Sequence, residues 1–281
     1  MIMNTNLQPK TPITIKYWLN CALAQLQDNG VTSALLDAEL IVAETINKDR
    51  AYLHGHDDDV LVPSSQKLAD EYLRRRLKLE PLAYILGYKE FFGHQFIVSP
   101  KVLIPRPESE GIIEALSELA IKKSSFKLVD IGTGCGCLGI SAKLLFPKAD
   151  VTLSDISSDA LKIASKNAST LGAEVNIIKS DLLNNFSGKA DVLIANLPYV
   201  DSQWTRSRET DFEPGLALFS SDNGLNLIKR LISSTPRRLI KGGYLIIEAD
   251  PRQHSDLINY ANERSFETIS QKDYVLVFKS Y

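Results

Sequence analysis

Four residues stand out for what they could do to a substrate: Asn196-Leu197-Pro198-Tyr199, placed directly after the apolar run Asp191-Val-Leu-Ile-Ala195. An amide or exocyclic amine has its nitrogen lone pair delocalised, so its reaction demands placement and acceptors for both N–H groups. The side-chain oxygen of Asn196 and the carbonyl of Leu197 can supply them. Pro198 stiffens the turn through its restricted φ, and Tyr199 offers a flat face to a planar group. The four residues include no His, Lys or carboxylate. None is needed: two neutral hydrogen bonds contribute only about 0.5 to 1.5 kcal/mol each, whereas holding nucleophile and electrophile in line removes roughly 7 to 11 kcal/mol of barrier. The pattern suits transfer of an already activated methyl group, such as that on the sulfonium of S-adenosylmethionine, to a planar NH2 group. Asn196, Leu197, Pro198 and Tyr199 are therefore the expected catalytic set.

A second constellation is Gly132-Thr133-Gly134-Cys135-Gly136-Cys-Leu-Gly139, which follows Asp130-Ile131 and opens a helix. Glycines there let the backbone turn and approach a ligand with no Cβ in the way. Gly134, Gly136 and Gly139 also satisfy the G-x-G-x-x-G of dinucleotide binders, with Asp155 near the position of their ribose-binding acid, so the loop alone says nucleotide-like ligand and leaves the nucleotide open. Asp155 can accept hydrogen bonds from both hydroxyls of a ribose; capping the next helix is its other reading. Asp181-Leu182 could flank an adenine ring, carboxylate near the amino group and leucine on the face. Asn196 borders the same space.

The elements that must position these residues are short apolar strands alternating with amphipathic helices after Lys127: Leu128 to Ile131, Val151 to Leu153, Val175 to Ile178, Val192 to Ala195 and Tyr244 to Ile247. Such alternation implies an α/β fold with a mostly parallel sheet covered on both faces, and ligands on such sheets bind beyond the carboxyl ends of the strands. Upstream, apolar residues recur at helical spacing: Trp18, Leu19, Ala22 and Leu26, then Leu35, Leu36, Leu40 and Ile41, then Leu68, Leu73 and Leu77 after Pro63. Gly30 ends the first helix and Thr32 or Ser33 can cap the second. Glu90 to Val98 reads as a hairpin broken at Gly93-His94, and Leu103-Ile-Pro-Arg-Pro107 delays helix until Glu108. The expected organisation is residues 1–80 as a small helical bundle, 81–107 as a β-hairpin linker and 108–281 as the domain that carries the chemistry.

Composition narrows the remaining classes. The 281 residues carry 32 Lys+Arg against 34 Asp+Glu, a net charge of −2, unlike the basic surfaces that track nucleic acid. Even the most apolar region, Leu128 to Phe146, contains Asp130 and Lys143, so no membrane span is expected. The first 14 residues lack a leader's apolar stretch. A soluble cytoplasmic protein follows. The basic run Arg74, Arg75, Arg76 and Lys78 reads either as a solvated helix face or as a docking patch for an acidic or RNA-bound partner. Three cysteines, two of them Cys135 and Cys137 in the glycine loop, suggest neither disulfides nor zinc. His54, His56 and Asp57 to Asp59 read as a solvated loop, so no metal is expected.

In combination, several motifs resemble one family. They are Arg74-Arg-Arg76 with Glu80-Pro-Leu-Ala-Tyr-Ile-Leu-Gly87, Phe96-Ile-Val-Ser, Leu103-Ile-Pro-Arg-Pro-Glu108 with Glu110, and Val129-Asp-Ile-Gly-Thr-Gly134. Asn196-Leu-Pro-Tyr-Val200, Phe212-Glu-Pro-Gly-Leu-Ala-Leu218 with Asp222 and Gly224, and Gly242-Gly-Tyr-Leu-Ile-Ile-Glu248 complete the set. Together they are similar to the peptide chain release factor glutamine methyltransferases, the HemK or PrmC family, along nearly the whole chain. The resemblance implies a class I S-adenosylmethionine-dependent methyltransferase, Rossmann-like with a seven-stranded sheet, plus a helical N-terminal domain that helps hold the release factor. It implies methyl transfer to the side-chain amide nitrogen (N5) of the glutamine in a Gly-Gly-Gln motif, with S-adenosylhomocysteine as product. By the same resemblance Gly132 to Gly136 hold the methionine part of the cofactor, Asp155 the ribose, Leu182 the adenine, and Asn196 to Tyr199 the glutamine. The expected partner is a release factor, without direct nucleic-acid binding, and the expected state a monomer.

Two departures mark this chain. Leu197 stands where the family usually has a first proline, which costs the turn some stiffness. Asp273-Tyr-Val-Leu-Val-Phe278 runs on without the usual glycine and arginine, as a tightened hairpin or as a divergent relative's change. Asn-Leu-Pro-Tyr also occurs in enzymes that dimethylate adenines of ribosomal RNA, and a ribosomal-protein glutamine methyltransferase shares the catalytic motif. A catalytically silent cofactor-binding relative is the reading from a different class.

Overall fold

The computed structural model describes residues 12–119 and 125–281; most of the segment read as lacking a leader lies outside them. The chain forms two compact units, one up to Leu86 and the other from Gly87 on. Among the described residues no helix is long and apolar enough to cross a membrane.

The first unit packs α1 (Ile15–Asp28), α2 (Ala34–Ile46), α3 (Arg50–Gly55), α4 (Pro63–Arg76) and α5 (Leu82–Leu86). Trp18, Ala22 and Leu26 of α1 meet Ala38, Ile41 and Val42 of α2 and Leu73 of α4 in one core. Thr14 caps α1 by accepting from the Tyr17 N–H, and Pro63 starts α4 at a position where its missing N–H costs nothing. Three expectations need correction here. Leu35, Leu36 and Leu68 are exposed, because α2 turns Ala34, Asp37, Ala38 and Ile41 inward instead. The short α3 was not foreseen; Asp49 nucleates it by accepting from the Tyr52 N–H at 2.8 Å. The basic run is neither a solvated face nor a docking patch as a whole. Arg76, 2% exposed, donates to the buried Asp37 carboxylate at 2.6 Å and to the Glu80 carbonyl, and Arg75 pairs with Glu80 at 2.5 Å. Only Arg74 and Lys78 of the four stand exposed.

The second unit begins with the antiparallel hairpin β1 (Tyr88–Phe91) and β2 (His94–Ile97). Its turn is Phe92-Gly93, both at positive φ, one residue earlier than expected. That geometry matches the right-handed twist of the strands. Then come α6 (Glu110–Glu118), β3 (Lys127–Ile131), α7 (Cys137–Leu145), β4 (Asp150–Asp155), α8 (Ser158–Leu171), β5 (Asn176–Lys179), β6 (Ala190–Ala195), α9 (Gly215–Leu218), α10 (Asn226–Ser234), β7 (Leu239–Glu248), α11 (His254–Asn262), β8 (Phe266–Lys272) and β9 (Val275–Ser280). The sheet order is β5-β4-β3-β6-β7-β9-β8. Every pairing from β5 to β7 is parallel, and β9 alone runs against its neighbours. The inner strands β3, β4 and β6 are buried along nearly their whole length because both faces of the sheet are covered there, whereas β5 and β8 at the sheet's two edges are mostly exposed. Only Asp273 and Tyr274 separate β8 from β9, which makes a two-residue hairpin.

The chain leaves β3 toward β4 and β5, then crosses to the other side of β3 to lay down β6 and β7. That reversal opens a crevice beyond the carboxyl ends of β3 and β6, where open α/β sheets bind ligands.

Candidate active site

A cleft of about 320 Å³ occupies that crevice, within the range of small-molecule sites, roughly 300 to 1,000 Å³. Ten of the residues singled out from sequence line it: Gly132, Thr133, Gly134, Cys135, Asp155, Asp181, Leu182, Asn196, Leu197 and Pro198. Gly136 and Tyr199 do not. Gly136 is needed for packing: at φ +90 it precedes α7, and a Cβ there would stand 2.7 Å from Ile140 Cδ1 and 3.3 Å from Ala164 Cβ. Tyr199 is half-buried and turns its hydroxyl toward the end of β7.

Two carboxylates shape the glycine loop. Asp155, at the end of β4, accepts from the Gly134 N–H at 2.9 Å and from the Ser157 N–H at 2.8 Å. Burial raises its carboxyl above the usual range, while backbone N–H donors from Ser157, Gly134 and Ile156 oppose the rise. Beneath the loop, fully buried Asp130 accepts from Thr133 Oγ1 at 2.5 Å and from the Gly139 N–H at 2.9 Å, both on Oδ2. Desolvation pushes its carboxyl up to about 6 despite those donors. Gly139 allows the approach, because a Cβ there would meet Leu153 Cδ2 at 2.2 Å. Asn167 adds a third anchor by donating to the Cys135 carbonyl at 2.8 Å while exchanging hydrogen bonds with the backbone of Ile97 in β2.

The Asn196–Tyr199 corner is held from several sides. Leu197 is buried against Gly132, where an added Cβ would come within 2.9 Å of Leu197 Cδ2, so packing replaces some of the stiffness of the absent proline. Gln253 donates to the Tyr199 carbonyl at 2.9 Å and the Asn223 carbonyl at 2.7 Å. Gly224, at φ +83, sits so close that a Cβ would lie 1.9 Å from the Tyr199 oxygen. Behind the corner, Asn196 Nδ2 donates to Ser109 Oγ at 2.8 Å, and Ser109 Oγ donates to Glu248 Oε2 at 2.5 Å. Tyr199 donates to Glu248 Oε1 at 2.9 Å. Burial and then the Glu248 charge raise the Tyr199 phenol well above its ordinary range. Burial likewise raises the Glu248 carboxyl, against hydrogen bonds from Ser109, Tyr199 and Asn196, with nearby Glu108 adding to the rise.

Sequence reasoning missed Ser109, Glu248, Gln253, Asn167 and Arg230. Glu248 ends β7, so the strand-end rule applied to every strand would have found it. Arg230 donates to Asp181 Oδ2 at 2.8 Å, which gives that carboxylate a guanidinium partner at the cleft wall. Glu213 clasps the other rim: it pairs with Arg106 and accepts from the Ile104 N–H at 3.2 Å. Only the tertiary fold brings these distant residues together.

The donor set fits a nucleoside with an amino-acid tail. Asp155 has lone pairs beyond those its backbone donors occupy; Gly134, at φ +55, has no described atom within 4 Å of where a Cβ would stand; and Ile156, Leu182 and Leu227 give the cleft an apolar wall.

The strand order, with the cleft at the switch point, defines a methyltransferase of the class I, Rossmann-like kind. A methyltransferase structure from Pyrococcus furiosus shares this fold, with a TM-score of 0.53 at 17% identity over 75% of this chain and 98% of that one. Residues 17–87 match the family described as PrmC N-terminal domain, and residues 109–210 match the methyltransferase small domain. The chain belongs to the release factor glutamine methyltransferase family. It is 39% identical to the release factor glutamine methyltransferase of Koribacter versatilis (strain Ellin345), over 85% of this chain and 89% of that protein. The one from Salmonella typhimurium (strain LT2) is 34% identical over 83% and 84%.

Proposed function

We propose that this protein transfers a methyl group from S-adenosylmethionine to the side-chain amide nitrogen of the glutamine in the Gly-Gly-Gln motif of a peptide chain release factor. The observation that carries the reading is the Asn196 amide, anchored through its nitrogen and bordering a cleft shaped for a nucleoside. Gly132 to Gly134 would hold the methionine part of the cofactor through their backbone, Asp155 the ribose hydroxyls, and Leu182 with Ile156 the adenine face. When bound, S-adenosylmethionine supplies a methyl group on a positively charged sulfur, activated without help from a general acid.

The protein's part is placement. Asn196 Oδ1 and the Leu197 carbonyl accept the two N–H groups of the glutamine amide and aim its nitrogen; Pro198 sets the angle between those acceptors. Tyr199 braces the corner by donating its hydroxyl to Glu248. The positively charged N-methyl amide first formed is a strong acid, and its proton passes to solvent.

Incubating the protein with methyl-labelled S-adenosylmethionine and unmodified release factor tests this directly. Label on the Gly-Gly-Gln glutamine, located by mass spectrometry, is expected. Its absence, or label elsewhere on the substrate, would overturn the proposal.

A further inference from the structure

A side-chain amide can sit in two orientations that differ only by exchanging its oxygen and nitrogen, and only one of them serves this reaction. The buried groups behind Asn196 decide between them. Glu248, 1% exposed, is not part of the cleft lining, and its carboxylate can only accept. It takes the single hydroxyl proton of Ser109 on one oxygen, at 2.5 Å, and that of Tyr199 on the other, at 2.9 Å. With its proton committed, Ser109 Oγ can only accept from Asn196, which it does at 2.8 Å. The amide nitrogen must therefore face Ser109, leaving Oδ1 as the acceptor.

We infer that Glu248 is a positioning residue for this reaction: through Ser109, and by accepting from the Asn196 side chain itself, it fixes the Asn196 amide with its oxygen available to the glutamine. The inference rests on the proposed function and adds a residue beyond the Asn196–Tyr199 corner. Glu248 touches no substrate atom and takes no proton from one. Without a carboxylate, the Ser109 hydroxyl is free to donate to Asn196 Oδ1, which turns the amide to the wrong orientation.

The test compares S109A, E248M and E248Q in the full-length protein. S109A and E248M should each lower kcat about 10- to 100-fold, the scale of a hydrogen bond tied to a charged group, with the KM for S-adenosylmethionine unchanged. The double variant should be no worse than E248M alone, because removing the carboxylate already breaks the link through Ser109. E248Q should stay near wild type: its oxygen can still accept from Ser109 while its nitrogen donates to the Tyr199 oxygen. An E248Q protein as impaired as E248M would make Glu248 a proton acceptor and overturn the inference. So would multiplicative losses in the double variant. S109A, a small deletion, keeps the test open if E248M does not fold.

A readout independent of activity is the side-chain amide resonance of Asn196 in nitrogen-15 spectra. One of its protons should be protected from exchange in the wild type and exposed in S109A; equal protection in both would refute the network. If the wild type methylates no release factor, the functional reading falls and the resonance alone decides the positioning.

Discussion

Replacing Gly224 with alanine should damage the active site from behind, without touching a residue that lines it. The new Cβ would lie 1.9 Å from the Tyr199 carbonyl oxygen and 2.5 Å from Gln253 Nε2. The oxygen belongs to the backbone of the catalytic corner, so relief requires the corner to move by roughly 1 Å, and displacements of that size can cost about 100-fold in rate. Overpacking contributes about 1 to 3 kcal/mol of destabilisation, and the left-handed φ of +83 adds about 1 to 2 kcal/mol for a residue with a Cβ. At about 2 to 4 °C per kcal/mol for a unit of this size, the melting temperature should fall by roughly 4 to 20 °C. Gly242→Ala is the control: its φ is +75, yet among the described residues nothing lies within 4 Å of the added atom, so it bears the backbone cost alone and should keep its kcat. Thermal melting by circular dichroism and methyl transfer to release factor measure the two effects. If Gly224→Ala melts no lower than Gly242→Ala, or turns over at the wild-type rate, the close packing of Gly224 on Tyr199 does not constrain the corner as argued.

Four further outcomes are expected. Asn196→Ala should abolish methyl transfer while cofactor affinity, measured by calorimetry, falls only modestly; activity near wild type would refute its role. Asp155→Ala should weaken S-adenosylmethionine binding by about 1.5 to 3 kcal/mol, the scale of hydrogen bonds to a charged group, and an unchanged dissociation constant would count against the assignment. Arg76→Ala should destabilise the helical unit by about 3 to 5 kcal/mol in denaturant titration by leaving Asp37 buried and unpaired, whereas Arg74→Ala should shift it by no more than about 0.5 kcal/mol. The Asp130 carboxyl, held at about 6 in the folded state against an ordinary value of 3.8, contributes stability that is complete below the lower value and lost as pH rises through the higher one. The difference of about 2 units corresponds to about 3 kcal/mol, so Asp130→Asn should gain on the wild type between pH 4 and 6, and a pH-independent gap would exclude this.

Much of the site was legible because its chemistry sits at strand ends. The glycine run after β3, Asp155 closing β4 and Asn196 following β6 could be placed on a parallel sheet from hydrophobic runs alone, and the topology then brings them to one cleft. What could not be read were partnerships across the chain. Arg76 looked like one of four surface charges, and only the packing of α4 on α2 shows that its guanidinium is buried on Asp37. The motif around Tyr199 shows only its ring, and it takes the fold to reveal that Glu248, 49 residues away in sequence, accepts its hydroxyl. Leu35 and Leu36 misled because a helix preceded by a short loop can rotate either apolar edge inward, and small alanines at Ala34 and Ala38 let α2 lie close to its neighbours.

The glycine loop is already tied down by Asp155, Asp130 and Asn167. Its shape is settled when the polypeptide folds, so an arriving cofactor has little chain left to order, and affinity can come from direct complementarity. Folding and occupancy are then two readings of one equilibrium: at a free concentration of 100 times its dissociation constant, a ligand that meets only the folded form should protect the protein by about 2.7 kcal/mol. Heat resistance as a function of ligand concentration thus becomes a gauge of how well the cradle was built.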